Sequence, residues 1–600
     1  MRVANLLALA SAAFASWLAT FVFQCYYQGL PGAPSVHPRD GEPPYPGATN
    51  DNLFWFLQIS DIHLSLVNDF EVREDLESFC TRTVSTISPA LVLVTGDLTH
   101  GKFSGGRYSQ QFEEEWRVYG EVLAESDDFD VEYRSHSSNI YLQYSSGYHG
   151  HQESTHSYSY THTTSFGSYR FIGMDACPSP GPRRPFNFFG VLHDEDLSVL
   201  ESLENHHPSS SPPLNTTVWF SHYPTATIAG DHATLRRLMS SSVAHVCGHL
   251  HDLLGLVPTM YTRHPSGHLE LELVDFKDKR GYRLVAIDHD LFSFVDTRLD
   301  HWPLVLVTNP KDSRFSVPGR EPLGRILHST HVRVLAFSPY GVKSVRVWLD
   351  GRPLPPATGD QEGPLYTTPW DPSRLASGLH SITVVVEDKE GNVGNSSQQF
   401  TLDGSYLATP LERLPRLLLL TDFKSLLQMV FLFVWLSLLA SLVLSWINRA
   451  QPVYLQPLVR KNSVFLPLTF LIFYLGLGPW CVGEIMTGVY GLISVHGILV
   501  SQHFIPGSLT YLFGMFQLIL WYIPLILYLN RLLSLPHSSS PSSSRLRPLL
   551  CHSAMFSLFL YHCGWLLTFA PYGSVALVLS PGVSWTLPFS LYLVLRSWRR

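Results

Sequence analysis

The sequence predicts a mixed α/β region, a small β-sandwich and a C-terminal transmembrane helical bundle, in that order. Three observations predict it. Short apolar runs alternate with helical patterns between Phe54 and Val307. Apolar–polar alternation takes over between Arg320 and Leu402. From Leu426 onward, apolar stretches of bilayer length dominate. A chain of 600 residues exceeds what one core serves, so several domains are expected.

The chain is 45% hydrophobic and only 15% charged, a low charged fraction for a soluble protein. The apolar excess sits at the start and after Leu418. A formal net charge of −8, with no basic stripe mid-chain, argues against a nucleic-acid partner. The 7 cysteines do not make a disulfide framework; Cys80, Cys177 and Cys247 hold at most one bridge among themselves.

In chain order, Val3–Tyr26 is an apolar run behind Arg2, so residues 1–28 read as a signal-anchor or a cleaved signal peptide. Residues 29–52, rich in Pro and Gly, are a linker. Residues 53–310 carry candidate strands at Phe54–Leu57, Leu91–Val94, Tyr169–Met174, Thr217–Phe220, Ala244–Cys247, Glu270–Val274 and Arg283–Ile287. Asp69–Ile87 and Phe112–Ala124 are candidate helices, the second opening on Glu113, Glu114 and Glu115, which suit a helix N-terminus. Residues 320–404 resemble an immunoglobulin-like domain, with strands at Val332–Ala336, Ser344–Leu349 and Ser381–Val386. Asp350-Gly351 and Glu390-Gly391-Asn392 supply its turns.

Residues 425–600 read as multi-span membrane. The expected spans are Leu426–Ile447, Phe465–Val482, Leu509–Leu529, Leu549–Phe569 and Val575–Leu595. Leu492–Phe504 is apolar but short, and reads as re-entrant or interfacial. Five spans put Arg449, Arg460 and Lys461 on the same side as Arg531, Arg545 and Arg547 and as Arg596, Arg599 and Arg600. By the positive-inside rule that side is the cytosol, with the C-terminus in it and the large polar region lumenal or extracellular, although a sixth span at Leu492 would put the last two clusters on opposite sides and Arg413, Arg416 and Lys424 before the first span weigh the other way. The glycosylation triplets at Asn215 and Asn395 agree. Glu484, Gln517 and His562 fall within or beside apolar stretches, where polar groups are costly and often functional.

Four apolar strands each end in Asp or His. Phe54–Leu57 leads to Asp61-Ile62-His63, Leu91–Val94 to Gly96-Asp97, Val218–Phe220 to Ser221-His222-Tyr223-Pro224, and Val246-Cys247 to Gly248-His249-Leu250-His251. Carboxylates and imidazoles collected at strand ends are hard-to-borderline metal ligands.

This ordered set resembles the calcineurin-like metallophosphoesterases. The resemblance implies a β-sandwich flanked by helices, holding two metal ions (Fe, Mn or Zn) at the strand ends. It implies that Asp61, His63 and His251 bind one ion, that Asp97 bridges the two, and that His222 and His249 bind the other. Two adjacent cations lower the pKa of a bridging water and clamp the phosphoryl oxygens of an in-line displacement. The expected function is a membrane-anchored phosphoesterase acting on phosphomonoesters or diesters outside the cytosol, its partners being a phosphoester substrate and the lipid bilayer. One part of the pattern is missing. The family's Gly-Asn-His-Asp/Glu motif occurs nowhere; its place reads Asp127 to Asn139, where His136 is the candidate acid. A metal-binding scaffold of weak activity is the alternative this departure supports.

Overall fold

In β1 (Leu53–Ile59) successive side chains point to opposite faces, and both faces are buried. Phe54 and Phe56 enter a core between two sheets, while Leu53, Leu57 and Ile59 enter a second core beneath helices. Burial on both faces is why this run is continuously apolar instead of alternating. The computed structural model describes residues 12–21, 37–67, 70–101, 111–124, 157–205, 214–253, 255–359, 363–403, 413–450, 454–486, 488–534, 552–553, 555–560, 562 and 572–598. Asp127–Asn139, with His136, lies outside them.

After β1 come β2 (Val92–Val94), β3 (Tyr158–Thr164), β4 (Gly167–Gly173), β5 (Gly190–Val191), β6 (Leu214–Phe220) and β7 (Ile228–Ala229). They are followed by β8 (Ala244–Cys247), β9 (Met260–Arg263), β10 (Leu269–Glu272), β11 (Gly281–Asp288) and β12 (Leu291–Arg298). One sheet has the order β12-β11-β1-β2, the other β3-β4-β6-β8-β10-β9; β5 and β7 pair separately. Phe54, Phe56, Val285 and Ile287 of the first sheet meet Tyr169, Phe171, Val218, Val246 and Leu271 of the second. The outer face of the first sheet is covered by Glu71–Ser78, which continues helically to Ile87, and by Glu113–Ala124. Asp194–Asn205 and His232–Leu238 cover the second. Because β1 and β2 run parallel, and β6 and β8 likewise, each pair delivers its carboxyl ends together.

A β-sandwich follows: β13 (Leu304–Asn309), β14 (His331–Phe337), β15 (Val342–Leu349), β16 (Arg352–Pro353), β17 (Thr358–Gly359), β18 (Leu365–Pro369), β19 (Leu379–Asp388) and β20 (Val393–Thr401). Its sheets have the orders β13-β14-β18-β17 and β16-β15-β19-β20. Alternation in β13 joins it to the preceding region. Val305 and Val307 point into the sandwich, while Leu304 and Leu306 pack in the core under Glu71–Ile87. At the Asp350-Gly351 turn both residues have positive φ, 47° and 76°, as the tight reversal between β15 and β16 demands.

The C-terminal part departs from five spans. Phe423–Ile447 (25 residues) and Leu509–Ser534 (26 residues) are long and apolar enough to cross a bilayer, the first measuring about 37 Å at 1.5 Å per residue. Asn462–Leu477 stops at 16 residues, where Gly478-Pro479 ends the helix. The expected Phe465–Val482 span therefore ends in a strand. Leu492–Phe504 is no re-entrant helix. It lies within an antiparallel meander of β21 (Cys481–Met486), β22 (Val489–Ser494), β23 (Gly497–Val500) and β24 (His503–Pro506). Alternating Cys481, Gly483 and Ile485 bury one face of β21, a period of two that the apolar count obscured. Val575–Leu595 is also two pieces, because Ser580-Pro581-Gly582 breaks Gly573–Leu579 from the turn leading into Thr586–Trp598. Most of Leu549–Phe569 lies outside the described residues. Phe14 of the helix Ala12–Phe21 stacks on Phe433, ring centroids 3.9 Å apart.

Two polar expectations also change. Glu484 does not lie among helices; on β21 it pairs with Arg183 at 3.1 Å. Asn215 is a poor glycan acceptor, since its Nδ2 donates to Asp290 at 2.8 Å and lies against Gly167. Asn395 is exposed on β20.

A buried ion cluster ties β11 to the β-sandwich. Arg333 Nε donates to Asp288 Oδ2 at 2.8 Å, and both side chains are at most 1% exposed. Burial alone would raise the Asp288 pKa, but the Arg333 charge and the His289 hydrogen bond hold it at about 2. Because the folded value lies below the unfolded one, this contribution is present in full above pH 4. It is lost as pH falls from there through about 2. Asp288→Asn leaves Arg333 buried without its counter-charge, so the unfolding free energy at neutral pH should drop by about 3–5 kcal/mol. Melting curves of full-length protein at pH 7 and pH 2 check this. The gap between wild type and variant should narrow at the lower pH, and an equal gap at both would contradict the assignment.

Candidate metal centre

The chain leaves β1, β2, β6 and β8 through turns that reverse it at once. Asp61, His63, Asp97, His249 and His251 all have positive φ, between 49° and 88°. Non-glycine residues seldom adopt this region, and residues held there concentrate at functional sites. Tertiary hydrogen bonds hold the turns: the Asp61 amide donates to the Gly96 carbonyl (3.1 Å), the His63 amide to Asp97 (2.7 Å), and the Gly248 amide to His222 (3.0 Å).

These turns bring all six predicted side chains to one place. Asp61 Oδ1 lies 3.0 Å from His251 Nε2 and 4.0 Å from His63 Nε2. The two oxygens of Asp97 face different partners, Oδ2 toward His63 Nε2 (3.2 Å) and Oδ1 toward His222 Nε2 (3.6 Å). His249 Nδ1 is 3.1 Å from His222 Nε2. Two sets, Asp61 with His63 and His251, and Asp61 with Asp97 and His222, each place their ligand atoms within 4.8 Å of one another. Two carboxylates and four imidazoles suit a pair of borderline cations.

Supporting residues orient this set, and sequence reading missed them. Asp61 is wholly buried; Ser60 Oγ (2.7 Å) and the His249 amide (3.0 Å) donate to its Oδ2. The Thr95 carbonyl accepts from His222 Nδ1 at 3.0 Å, which leaves the Nε2 lone pair facing Asp97. Asp275 Oδ2 lies 3.4 Å from His251 Nδ1 and orients that ring in the same manner. The strand-then-Asp signal used for Asp97 also applies to Asp275, one residue past Val274.

Charge follows from these contacts. Burial opposes ionisation of Asp61, but the His251 hydrogen bond and the surrounding imidazoles hold its carboxyl well below the usual range. Burial also works against a charged His251, yet hydrogen bonds to Asp275 and Asp61 push it up to about 10. Burial and the His222 charge push His249 down to about 3. The carboxylates thus stay anionic and attract positive charge into the site. Cation binding would release the His251 proton.

A second donor cluster reads differently. His245, Cys247 and Glu270 lie fully buried on the outward face of the second sheet. There the Glu270 carboxylate already accepts from the Thr225 amide (2.6 Å), the Thr225 hydroxyl (2.9 Å) and His264. A saturated carboxylate is a structural hub that holds the turn after His222.

The sequence matches the TMEM62 Ig-like domain over residues 299–406 and the TMEM62 C-terminal domain over residues 415–534. Transmembrane protein 62 of Mus musculus is 35% identical over 97% of this chain and 95% of its own length. The chain belongs to the transmembrane protein 62 family. Stretches such as Pro180–Gly190, Asp288–Phe294 and Leu327–Phe337 resemble that family along nearly the whole chain. A protein of Arabidopsis thaliana named "Putative metallophosphoesterase" is 28% identical over 44% of this chain and 43% of its own length. The fibronectin(III)-like modules of Clostridium thermocellum CbhA, 16% identical over 22% of this chain and 66% of theirs, align with a TM-score of 0.12, too low to bear on the fold.

Gly248 is required by close approach. A Cβ there would lie 2.0 Å from Ser60 Oγ and 2.3 Å from Asp61 Oδ2. Gly248→Ala should therefore displace Asp61 and abolish high-affinity Mn²⁺ or Zn²⁺ binding. Asp275→Asn keeps every ligand and should weaken binding about 10–100-fold. Titration calorimetry on metal-stripped protein measures both, and unchanged affinity in both variants would contradict the geometry.

Proposed function

We propose that this chain is a membrane-anchored, metal-dependent phosphoesterase of the calcineurin-like type. The observation that carries the reading is the convergence of Asp61, His63, Asp97, His222, His249 and His251 at the carboxyl ends of four strands in two packed sheets. The Arabidopsis relative's name supports the same chemistry. Residues 53–310 would be the phosphoesterase domain, 320–404 the immunoglobulin-like domain and 425–600 the membrane region. Asp61, His63 and His251 would hold one ion and His222 and His249 the other, with Asp97 between them. When bound, such ions supply Lewis acidity and an activated water for displacement at phosphorus. The chain's own part is to fix the ligands rigidly, through Ser60, Thr95 and Asp275, and to keep both carboxylates ionised. His136 is the proposed proton donor to the leaving group, worth about 10²–10⁴ in rate. The missing Gly-Asn-His motif favours a second reading, a metal-binding scaffold of low turnover.

The proposed orientation, polar region lumenal or extracellular and C-terminus cytosolic, is supported by the ends of Phe423–Ile447. At its start, Asp422 lies 3.6 Å from His232 and the Leu420 carbonyl accepts from Arg236, so this end meets the polar region. At its finish, Arg449 meets Arg460, and the Tyr454–Leu458 segment bonds to Asn530 beside Arg531. Arg449, Arg460, Lys461 and Arg531 thus lie toward the end away from the polar region, against Arg413, Arg416 and Lys424 at the other, a balance that favours this orientation by the positive-inside rule.

Full-length protein loaded with Mn²⁺ should bind two ions and hydrolyse an aryl phosphate. Asp97→Asn should reduce metal content more than His222→Ala, since its two oxygens face His63 and His222, a ligand of each proposed ion. His136→Ala should slow alkyl esters more than aryl esters, whose leaving groups need no proton. Two bound ions without turnover of either ester would give the scaffold reading precedence. For sidedness, glycosidase treatment should increase gel mobility, and Asn395→Gln should abolish that change while Asn215→Gln leaves it. No change in the wild type would remove this support for the orientation.

A further inference from the structure

Among the described residues between 53 and 310, five large apolar side chains are exposed: Val67, Phe70, Tyr160, Phe188 and Leu256. Single exposed apolar residues are ordinary on a protein surface. Their placement here is not. Tyr160 lies on the edge strand β3, but the other four sit on loops that leave the carboxyl ends of strands. Val67 and Phe70 follow His63 on the loop after β1, and Leu256 follows His251 on the loop after β8. Phe188 lies on the connection between β4 and β5. Because β4, β6 and β8 run parallel, that connection starts at the edge of the sheet that carries His222, His249 and His251. Phe70 and Leu256 are 67% and 77% exposed, so packing within the fold does not account for either.

Phe188 reaches the candidate ligands. Its ring centroid is 4.6 Å from that of His249, with the planes at 49°. The neighbouring residues hold its backbone in place. Phe186 is buried, with its ring centroid about 6 Å from those of Trp480 and Tyr572. The Asn187 carbonyl accepts from Tyr223 Oη at 3.0 Å, and the buried Phe189 ring lies edge-on to Phe188, centroids 5.6 Å apart. An aromatic ring fixed in this way, beside a ligand and partly in water, leaves apolar surface that a bound apolar group would cover.

We propose that the metal centre takes a phosphoester whose phosphoryl group is carried on an apolar body, and that Phe188, with an apolar rim of Val67, Phe70 and Leu256, receives that body. This rests on the phosphoesterase reading and names its substrate class. A sugar phosphate, polar throughout, would leave these side chains in water. A lipid phosphate and a soluble aromatic phosphoester share the required chemistry.

The test uses full-length protein in maltoside micelles, loaded with Mn²⁺, and three non-hydrolysable probes: methylphosphonate, phenylphosphonate and hexylphosphonate. Calorimetry reads affinity against a blank of protein-free micelles, and elemental analysis reads bound metal. In the wild type, phenylphosphonate or hexylphosphonate should bind about tenfold tighter than methylphosphonate, or more, as burial of a few carbons implies. The larger gain with hexylphosphonate assigns a lipid chain, and with phenylphosphonate a soluble aromatic ester. Phe188→Ala should keep the metal content and bring that ratio near one, Leu256→Ser should lower it by a smaller factor, and Phe188→Trp should preserve it. Equal affinity for all three probes in the wild type would overturn this proposal and leave the phosphoesterase reading standing. A wild-type ratio in both Phe188→Ala and Leu256→Ser would overturn it as well. Loss of metal in Phe188→Ala would make Phe188 a packing residue for His249. Leu256→Ser then decides, a lowered ratio upholding the apolar site and a wild-type ratio overturning it. A wild type that binds two ions but none of the phosphonates would overturn both this proposal and the phosphoesterase reading.

Discussion

The structure depends on one constraint: a carboxylate, Asp61, held anionic in complete burial. An unpaired charge there would be costly, so everything within reach is arranged to support it. Ser60 and the His249 amide donate to one oxygen, and His251 meets the other. Satisfying that carboxylate requires β8 to end beside β1, although the two strands belong to different sheets. It also requires a glycine at position 248, because the approach of the two turns leaves no room for a side chain. The packing of the two sheets brings these strand ends together. The flanking helices bury the outer faces that such a sandwich leaves apolar.

The same logic extends outward from the site. The β-sandwich is not a loosely tethered appendage, since β13 contributes alternate side chains to both cores and Arg333 neutralises Asp288. Among the described residues the C-terminal module meets the polar region at several places, Val191 and Ala229 entering its core among them. Two more are the Arg183–Phe186 loop on β21 and the docking of Arg413–Leu420 against the second sheet. The meander Cys481–Pro506 gives the loop a rigid partner, which a simple helical bundle would not have provided.

Much of this was legible in the chain. The strands β1, β2, β4, β6, β8, β10 and β11, the helical stretches Glu71–Ile87 and Glu113–Ala124, and the sandwich strands β14, β15 and β19 are set by local period and burial, which propensity and patterning reflect directly, whereas β3 and β9 were not among the expected strands. The six candidate ligands were legible too, because an apolar strand that stops at Asp or His carries its signal within a few residues. Residue counts alone misled in the C-terminal part. Apolar composition reports burial, and a buried β-strand is as apolar as a short membrane helix, so the start of the meander read as the end of the span Phe465–Val482 and Leu492–Phe504 as re-entrant or interfacial.

What the sequence by itself determined was therefore many of the strands and helices before Leu402, which residues are candidate ligands, and to which kind of family the pattern points. Tertiary structure alone decided the rest. Asp275 and Thr95 orient ligands through contacts whose partners lie far off in the chain, and no local period encodes such a contact. Asn215 and Glu484 looked like a glycan acceptor and a membrane-buried acid until their partners, Asp290 and Arg183, were in place. The physical reason is the same in each case: a side chain's chemistry is local, but its charge partner and its burial belong to the fold.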